Sequence, residues 1–428
     1  YMINKNLKGM RLLVMGGMRI SCEIIRKAQE LGVVVGVADY NTVEDSPGKK
    51  IADEHYEVSI TDVDAVVELI KKEKFDGVFV GFNDMLLPFY AEICRKANLP
   101  CYGTKEQFEV LISKDKYKSL CRDFNVPTIE EYSINDTTIK YPVLVKPCDS
   151  SGSRGITICH SNEELKVAYE TALNASKTKK ALIERYMDGR EVTVFWVFQN
   201  GEYYLAGLAN RHVKKNQGED IIPLPVGYTF PSVFLSKYRE DVEENCKRMF
   251  HELNIQNGMM FMQCKVEDGT CYVYDIGYRL TGSLEYKILE RVCGYNPLEM
   301  MICYALTGDM GEPNLKEKAN PLFETPAFNV SCLSLPGTIK SITGIDEVKQ
   351  FPQVIDAVMA HVSGETITEK MRGLLAQITI RVLGTANDKA ELLPVMQKIN
   401  NTIHIIGTNG NELMLPGIEF SDIDGYLL

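Results

Sequence analysis

Apolar positions in the first segment of the chain fall into short continuous runs separated by stretches of helical spacing. RLLVMGG (11–17), VVVGVAD (33–39) and GVFVG (77–81) read as buried strands. Between them, 20–31 carries Ile20, Ile24, Ile25 and Ala28 on one helical stripe, and 62–72 and 83–98 read as further helices, the last stopped by Pro100. Continuous β-branched strands alternating with helices predict a parallel sheet covered on both faces. From about residue 110 the pattern changes. A helix at 114–124 precedes strands in YPVLVKP, GITICH, KALIERYM, EVTVFWVF and YYLAGLANR, then a polar loop and a long helix at 236–253. MMFMQCKV and TCYVYDIGYRL follow as an antiparallel pair turned by Glu267-Asp268-Gly269, with helix again at 285–306. This is a mixed α+β unit. The remainder predicts strands at 327–335 and 376–383, a helix at 389–402 and a hairpin in IHIIGTNGNELML. A chain of 428 residues exceeds what one core usually organises. The expected units are 1–110, 111–315 and 316–428, α/β first and α+β after.

Composition narrows the picture by exclusion. Hydrophobic residues make up 45% and charged residues 25%, the balance of a globular protein in water. The net charge of −11 argues against a nucleic-acid partner, which wants a basic face. No apolar run approaches the roughly 18 residues that span a bilayer, so neither membrane association nor export is expected. The 12 cysteines include no CxxC, and the 6 histidines are scattered. Buried thiols of a cytoplasmic protein are therefore expected rather than a zinc site.

Chemistry concentrates in the middle unit. In VLVKPCDSSGSRGITI (143–158) a strand delivers Lys146 to a short glycine-serine turn, Ser150, Ser151, Gly152 and Ser153. Backbone amides in such a turn can close over phosphate oxygens beside the lysine charge; a plain hairpin turn is the bland alternative. In ALIERYMDGREVTV (181–194), Glu184 ends a strand, Tyr186 and Met187 can present backbone groups to a purine edge, and Glu191 can accept a ribose hydroxyl. Read blandly, both glutamates are solvent-facing strand residues. In FMQCKVEDGTCYVYDIGYRLTGS (261–283), Gln263 and Asp275 lie on two strands of a hairpin, where they can face each other across the ladder. Oxygen ligands entering one cleft suit Mg2+, and Arg279 can stabilise charge on a transferring phosphoryl group.

Lysine, lysine with glycine loop, paired glutamates and a Gln-Asp-Arg hairpin occur in the order of the ATP-grasp superfamily, which the middle unit resembles. SKDKYKSLCRDFNVPT is similar to the family's opening and LVKPCDSSGSRGI to its second lysine and phosphate loop. IERYMDGREVTV is similar to its adenine hinge and MQCKVEDGTCYVYDIGYRLTG to its metal hairpin, with a glutamine variant seen in carbamoyl phosphate synthase. The resemblance implies a Rossmann-like domain before the grasp and a smaller α+β domain after it, similar to the biotin-carboxylase branch. It implies ATP and Mg2+ as cofactors, with Lys116 and Lys146 on phosphates, Glu184, Tyr186 and Met187 on adenine, and Glu191 on ribose. It implies Gln263 and Asp275 on metal, and Lys146 and Arg279 in catalysis. The family's EiNpR is DIGYR here, so Gly277 stands where a metal-binding asparagine is usual.

The reaction implied is ADP-forming ligation: a small-molecule carboxylate is activated as an acyl phosphate and joined to an amine. Substrate contacts are expected from Arg211 and His212, ahead of the polar loop, and from Gly282 and Ser283, beside the metal hairpin. Two other readings stay open on this sequence within the fold, a bicarbonate-activating enzyme and a nucleotide-binding module with little catalysis. A nicotinamide oxidoreductase is weaker, because VMGGMRIS lacks GxGxxG although Asp39 follows the second strand. A homodimer is compatible with the branch resembled.

Overall fold

The computed structural model describes residues 2–149, 155–187, 189–214 and 224–425. Its first unit is a four-stranded sheet in the order Glu54–Glu57, Val34–Asp39, Arg11–Met15, Gly77–Phe79, with every pair parallel. Three of these, Val34–Asp39, Arg11–Met15 and Gly77–Phe79, are the strands the apolar pattern predicts. The outer strand, EHYE, has no apolar run; it joins as an edge, and Arg11 holds Glu54 through two hydrogen bonds of 2.7 and 3.0 Å. Asp39 is buried and saturated by the Gly17 amide (2.8 Å), Ser46 (3.0 Å) and Lys49 (2.9 Å). A Cβ at Gly17 would lie 1.9 Å from the Ser46 hydroxyl, so this glycine turn packs against protein and Asp39 serves the fold.

The middle unit has two layers. A small antiparallel sheet, in the order Glu131–Tyr132, Ala181–Arg185, Val143–Pro147, Thr157–Cys159, carries the helix Asn162–Ala175 on its back. That helix was not anticipated from the sequence; Ser161 caps it by accepting from the Glu164 amide at 3.2 Å. The small sheet has its own core, centred on Val143, Val145, Leu165 and Ile183. The second layer is an eight-stranded sheet beginning Thr270–Gly277, Gly258–Glu267, Arg190–Gln199, Glu202–Val213, Pro225–Phe230 and continuing through Ala327–Leu333, Ile378–Thr385 and Val354–Met359. Every pairing in it is antiparallel.

Two local expectations are corrected. The single helix at 236–253 is two, Leu235–Asp241 and Glu243–Glu252, because Val242 leaves helical geometry and turns into the core. The end of the predicted polar loop is the fully buried strand Pro225–Phe230. Its glycine explains the concealment: a Cβ at Gly227 would sit 2.7 Å from Met396 and 3.0 Å from the Asn329 carbonyl, so the position needs glycine for close packing. This strand pairs with Ala327–Leu333 and so carries one sheet across residue 315 into the last segment. Among the described residues no helix is long and apolar enough to cross a membrane.

Candidate active site

Lys146 stands on the strand Val143–Pro147, in register with Leu182, and Glu184 pairs with Leu144 two positions back. Burial lowers the Lys146 pKa below the ordinary lysine value. Glu184 opposes that shift, while Lys114 and Lys118 add to it as like charges. Lys118 is itself buried, bonded to the Glu131 carboxylate and 4.0 Å from Glu184. Lys114 also favours ionisation of Asp275 in the large sheet. One lysine therefore lies within electrostatic range of both the lysine of the small sheet and the carboxylate of the large one.

Lys116, the lysine singled out by the motif, is exposed on the same helix, Lys114–Asp123. Lys114, at the helix start, is exposed as well; residues 114 and 118 fall on the helix stripe of buried Tyr117 and Cys121, and residue 116 lies off it. Lys114 and Lys118 are the lysines that act electrostatically on Lys146, and the sequence reading did not single them out; their signal is the i, i+4 spacing inside SKDKYKSLC.

On the large sheet, Gln263 and Asp275 are direct register partners, with a bulge immediately after Gln263. Burial raises the Asp275 pKa above the usual carboxylate value; Lys114 and Arg279 oppose this and Asp84 adds to it. Arg279 is anchored by Asp84 through bonds of 2.7 and 3.1 Å, donates to the Leu280 carbonyl at 2.9 Å, and lies 5.0 Å over the Phe261 ring. Asp84 belongs to the first unit and carries no signal in the sequence pattern. The Gly277 departure has a packing cause. Gly277 pairs with Phe261, and a Cβ there would approach the Phe261 ring to 2.1 Å, so the ring occupies the space of any side chain at 277. The oxygen donors present, one amide and one carboxylate with a second carboxylate near, suit a hard cation that takes its other ligands from phosphates and water. Among the described residues no group of three or more His, Cys, Asp or Glu could hold a metal alone.

The hinge runs into the same face. Tyr186 donates its amide to the Pro142 carbonyl at 3.0 Å, and Met187 is buried behind it. Glu191 is buried and accepts from the Tyr274 hydroxyl at 2.6 Å and from Arg211 at 3.1 Å. Ser150, Ser151, Gly152 and Ser153 lie outside the described residues.

Of the expected substrate residues, Arg211 is tied to Glu191 within the sheet and lies 3.4 Å from the Tyr228 hydroxyl. His212 is corrected: it is fully buried on the opposite face, with one ring nitrogen 3.2 Å from the Asp422 carbonyl oxygen and the other 2.7 Å from Thr229. Strand alternation separates the two neighbours, sending one side chain to each face. A Cβ at Gly282 would meet nothing within 4 Å. Ser283 bonds Thr281 at 2.6 Å and Glu285 at 3.1 Å, and its carbonyl accepts from Asn329 at 2.6 Å.

Residues 139–284 match the family described as ATP-grasp domain. That stretch takes in Lys146, the hinge, the Gln263–Asp275 pair and Arg279. The middle of this chain is thus an ATP-grasp domain. Beyond it, the chain is 25% identical over 434 residues to the carbamoyl phosphate synthase large chain of Clostridium beijerinckii, covering 94% of this chain and 38% of that protein. The chain therefore spans about two fifths of the length of such relatives. In fold it is similar to phosphoribosylglycinamide synthetase from Anaerococcus prevotii, with a TM-score of 0.75, 18% identity, and 93% and 100% of the two chains covered. It is likewise similar to the L-amino acid ligase from Bacillus licheniformis, with a TM-score of 0.74, 20% identity, and 94% and 100% covered.

Proposed function

We propose that this protein is an ADP-forming ligase that uses ATP to activate a carboxylate and joins it to an amine. The observation that carries the reading is the Gln263–Asp275 register pair, with Arg279 braced beside it by Asp84. Lysines on one wall and an oxygen pair on the other suit a polyphosphate with its counter-cation. Gln263 and Asp275 would hold Mg2+, which when bound neutralises phosphate charge. The chain's own side chains do the rest by position and charge. Lys146 and Lys114 attract phosphate oxygens, and Glu191 and Met187 line the hinge side. Arg279, braced by Asp84, sets a cation at the end of the metal hairpin. The acid's oxygen attacks the γ-phosphorus as the bridging bond to the β-phosphate breaks, releasing ADP. The amine then attacks the acyl carbon, phosphate departs, and the amine proton leaves to solvent.

The relatives named carbamoyl phosphate synthase favour bicarbonate as the acid in a second reading. ADP release with Mg-ATP, measured against bicarbonate and against carboxylates paired with amines, separates the two. Lys146→Ala is expected to weaken ATP binding by about 10- to 150-fold, the loss of a charged hydrogen bond. Asp275→Asn is expected to bind ATP nearly normally and to lose turnover. Normal turnover in Asp275→Asn rejects the metal assignment, and ATP binding without ADP release under any pairing rejects the ligase.

A further inference from the structure

The first unit reaches the end of the metal hairpin at two neighbouring residues. Its sheet places Gly77–Phe79 on one side of Arg11–Met15 and Val34–Asp39 on the other. The chains leaving Arg11–Met15 and Gly77–Phe79 therefore diverge, and in open α/β sheets ligands bind in the crevice that opens at the carboxyl ends of such strands. Asp84 stands on that exit, in the short helix Asp84–Leu86, whose first turn Asn83 fixes by accepting from the Met85 amide at 3.0 Å. Its carboxylate accepts from Arg279 Nε at 2.7 Å and Nη2 at 3.1 Å. One residue back, Tyr102 donates to the Tyr278 carbonyl at 2.8 Å, and the Tyr278 hydroxyl returns a bond of 2.9 Å to the Tyr102 carbonyl.

A guanidinium carries five N–H donors. Asp84 takes two, the Leu280 carbonyl takes one from Nη1 at 2.9 Å, and the Phe261 ring lies 5.0 Å from the guanidinium carbon. One N–H on each terminal nitrogen is left without a partner among the described residues. The Arg279 side chain is still 15% exposed, so these donors are not sealed in the core. Arg279 also acts electrostatically on Asp275, within range of the oxygen pair. Donors on the two terminal nitrogens can meet two oxygens of a phosphoryl group or a carboxylate. We propose that Asp84 is a positioning residue: by fixing one edge of Arg279 it presents the two remaining N–H groups to an oxyanion at the reacting end. A long side chain loses rotamer freedom when it grips a ligand, and ordering it beforehand removes that cost from binding. The first unit thus completes a site built on the middle one. That the oxyanion is the transferred phosphoryl group rests on the ligase reading; the fixed orientation rests on the bonds of Arg279.

The test is calorimetric titration of inorganic phosphate into the full chain saturated with Mg-ADP, for wild type, Asp84→Asn, Arg279→Met and the double variant. Removing a carboxylate beside an anion site would by charge alone tighten phosphate, so weaker binding reports on the orientation of Arg279. Asp84→Asn is expected to weaken phosphate at least about fivefold and Arg279→Met at least about tenfold, the size of a charged hydrogen bond. The double variant is expected to match Arg279→Met, because Asp84 acts through that arginine. Charge exchange, Asp84→Arg with Arg279→Asp, rebuilds an ion pair between the units and is expected to leave phosphate binding lost; a purely structural pair would be restored by it. No phosphate binding by wild type, unchanged or tighter binding in Asp84→Asn, a further loss in the double variant, or recovery on charge exchange overturns the proposal. ADP release by the same samples tests the ligase reading separately. Absent turnover with this phosphate pattern intact rejects the ligase and leaves the role of Asp84 standing.

Discussion

Lys114 and Lys116 sit two positions apart on one helix, and two positions turn a helix through about 200°. Both are exposed, but residue 114 falls on the stripe of buried Tyr117, Lys118 and Cys121 and acts electrostatically on Lys146, whereas residue 116 lies off that stripe. Lys114→Met is expected to weaken ATP binding about tenfold, because Lys114 acts on both Lys146 and Asp275, and Lys116→Met by no more than about twofold. Equal effects would refute the placement of Lys114. Lys146 adds a pH dependence. Its cationic form attracts phosphate, and burial together with Lys114 and Lys118 lowers its pKa. ATP capture by the free enzyme is therefore expected to fall on the alkaline side below the ordinary lysine value of about 10.4. Lys114→Met removes a like charge, raises the Lys146 pKa and shifts this limb to higher pH. A kcat/KM profile for ATP checks both the limb and the direction of its shift.

At the scale of elements, the small sheet and its helix form a layer with a separate and modest core. Its strand Thr157–Cys159 is half exposed at an edge, whereas Arg190–Gln199 is buried along nearly its whole length. Arg185 of the small sheet reaches Glu267 of the large one at 2.5 Å, an ion pair between the two sheets. Elements with few buried contacts open at lower free energy than the core. Amides of Val143–Pro147 and Ala181–Arg185 are expected to exchange hydrogen faster than those of Arg190–Gln199, and Mg-ATP to slow the first set most. Equal protection in all three strands would show the small layer to be as firmly held as the core.

Across the whole molecule, charged staples join the segments. Arg279 ties the metal hairpin to Asp84 of the first unit. Lys287 bonds Glu23 of the first helix at 3.0 Å and Asp356 of the last segment at 2.7 Å. Packing reinforces them: a Cβ at Gly77 would lie 2.2 Å from the Ala305 carbonyl, so a middle-unit helix rests directly on the first sheet. Lys287→Met leaves two half-buried carboxylates without their cation. Thermal unfolding is expected to show a loss of about 2 kcal/mol and a lower melting temperature, on the scale of charged hydrogen bonds. An unchanged melting temperature would mean that apolar packing alone joins the segments.

By itself the sequence determined what depends on local order. Uninterrupted β-branched runs required a parallel sheet, and the hairpin spacing of Gln263 and Asp275 required that they meet across one ladder. Lys146 followed by its loop, the hinge and that hairpin made the ATP-grasp domain legible, because residues close in sequence build these features. Tertiary structure decided whatever depends on which distant surfaces meet. Strand alternation sent His212 to the face opposite Arg211. Phe261, by filling the space at 277, fixed a glycine where the family has asparagine. Asp84 comes from the first unit, and no spacing in the chain announces its place beside Arg279. That place is set by the packing of the first unit on the end of the metal hairpin, where Asp84 accepts from Arg279.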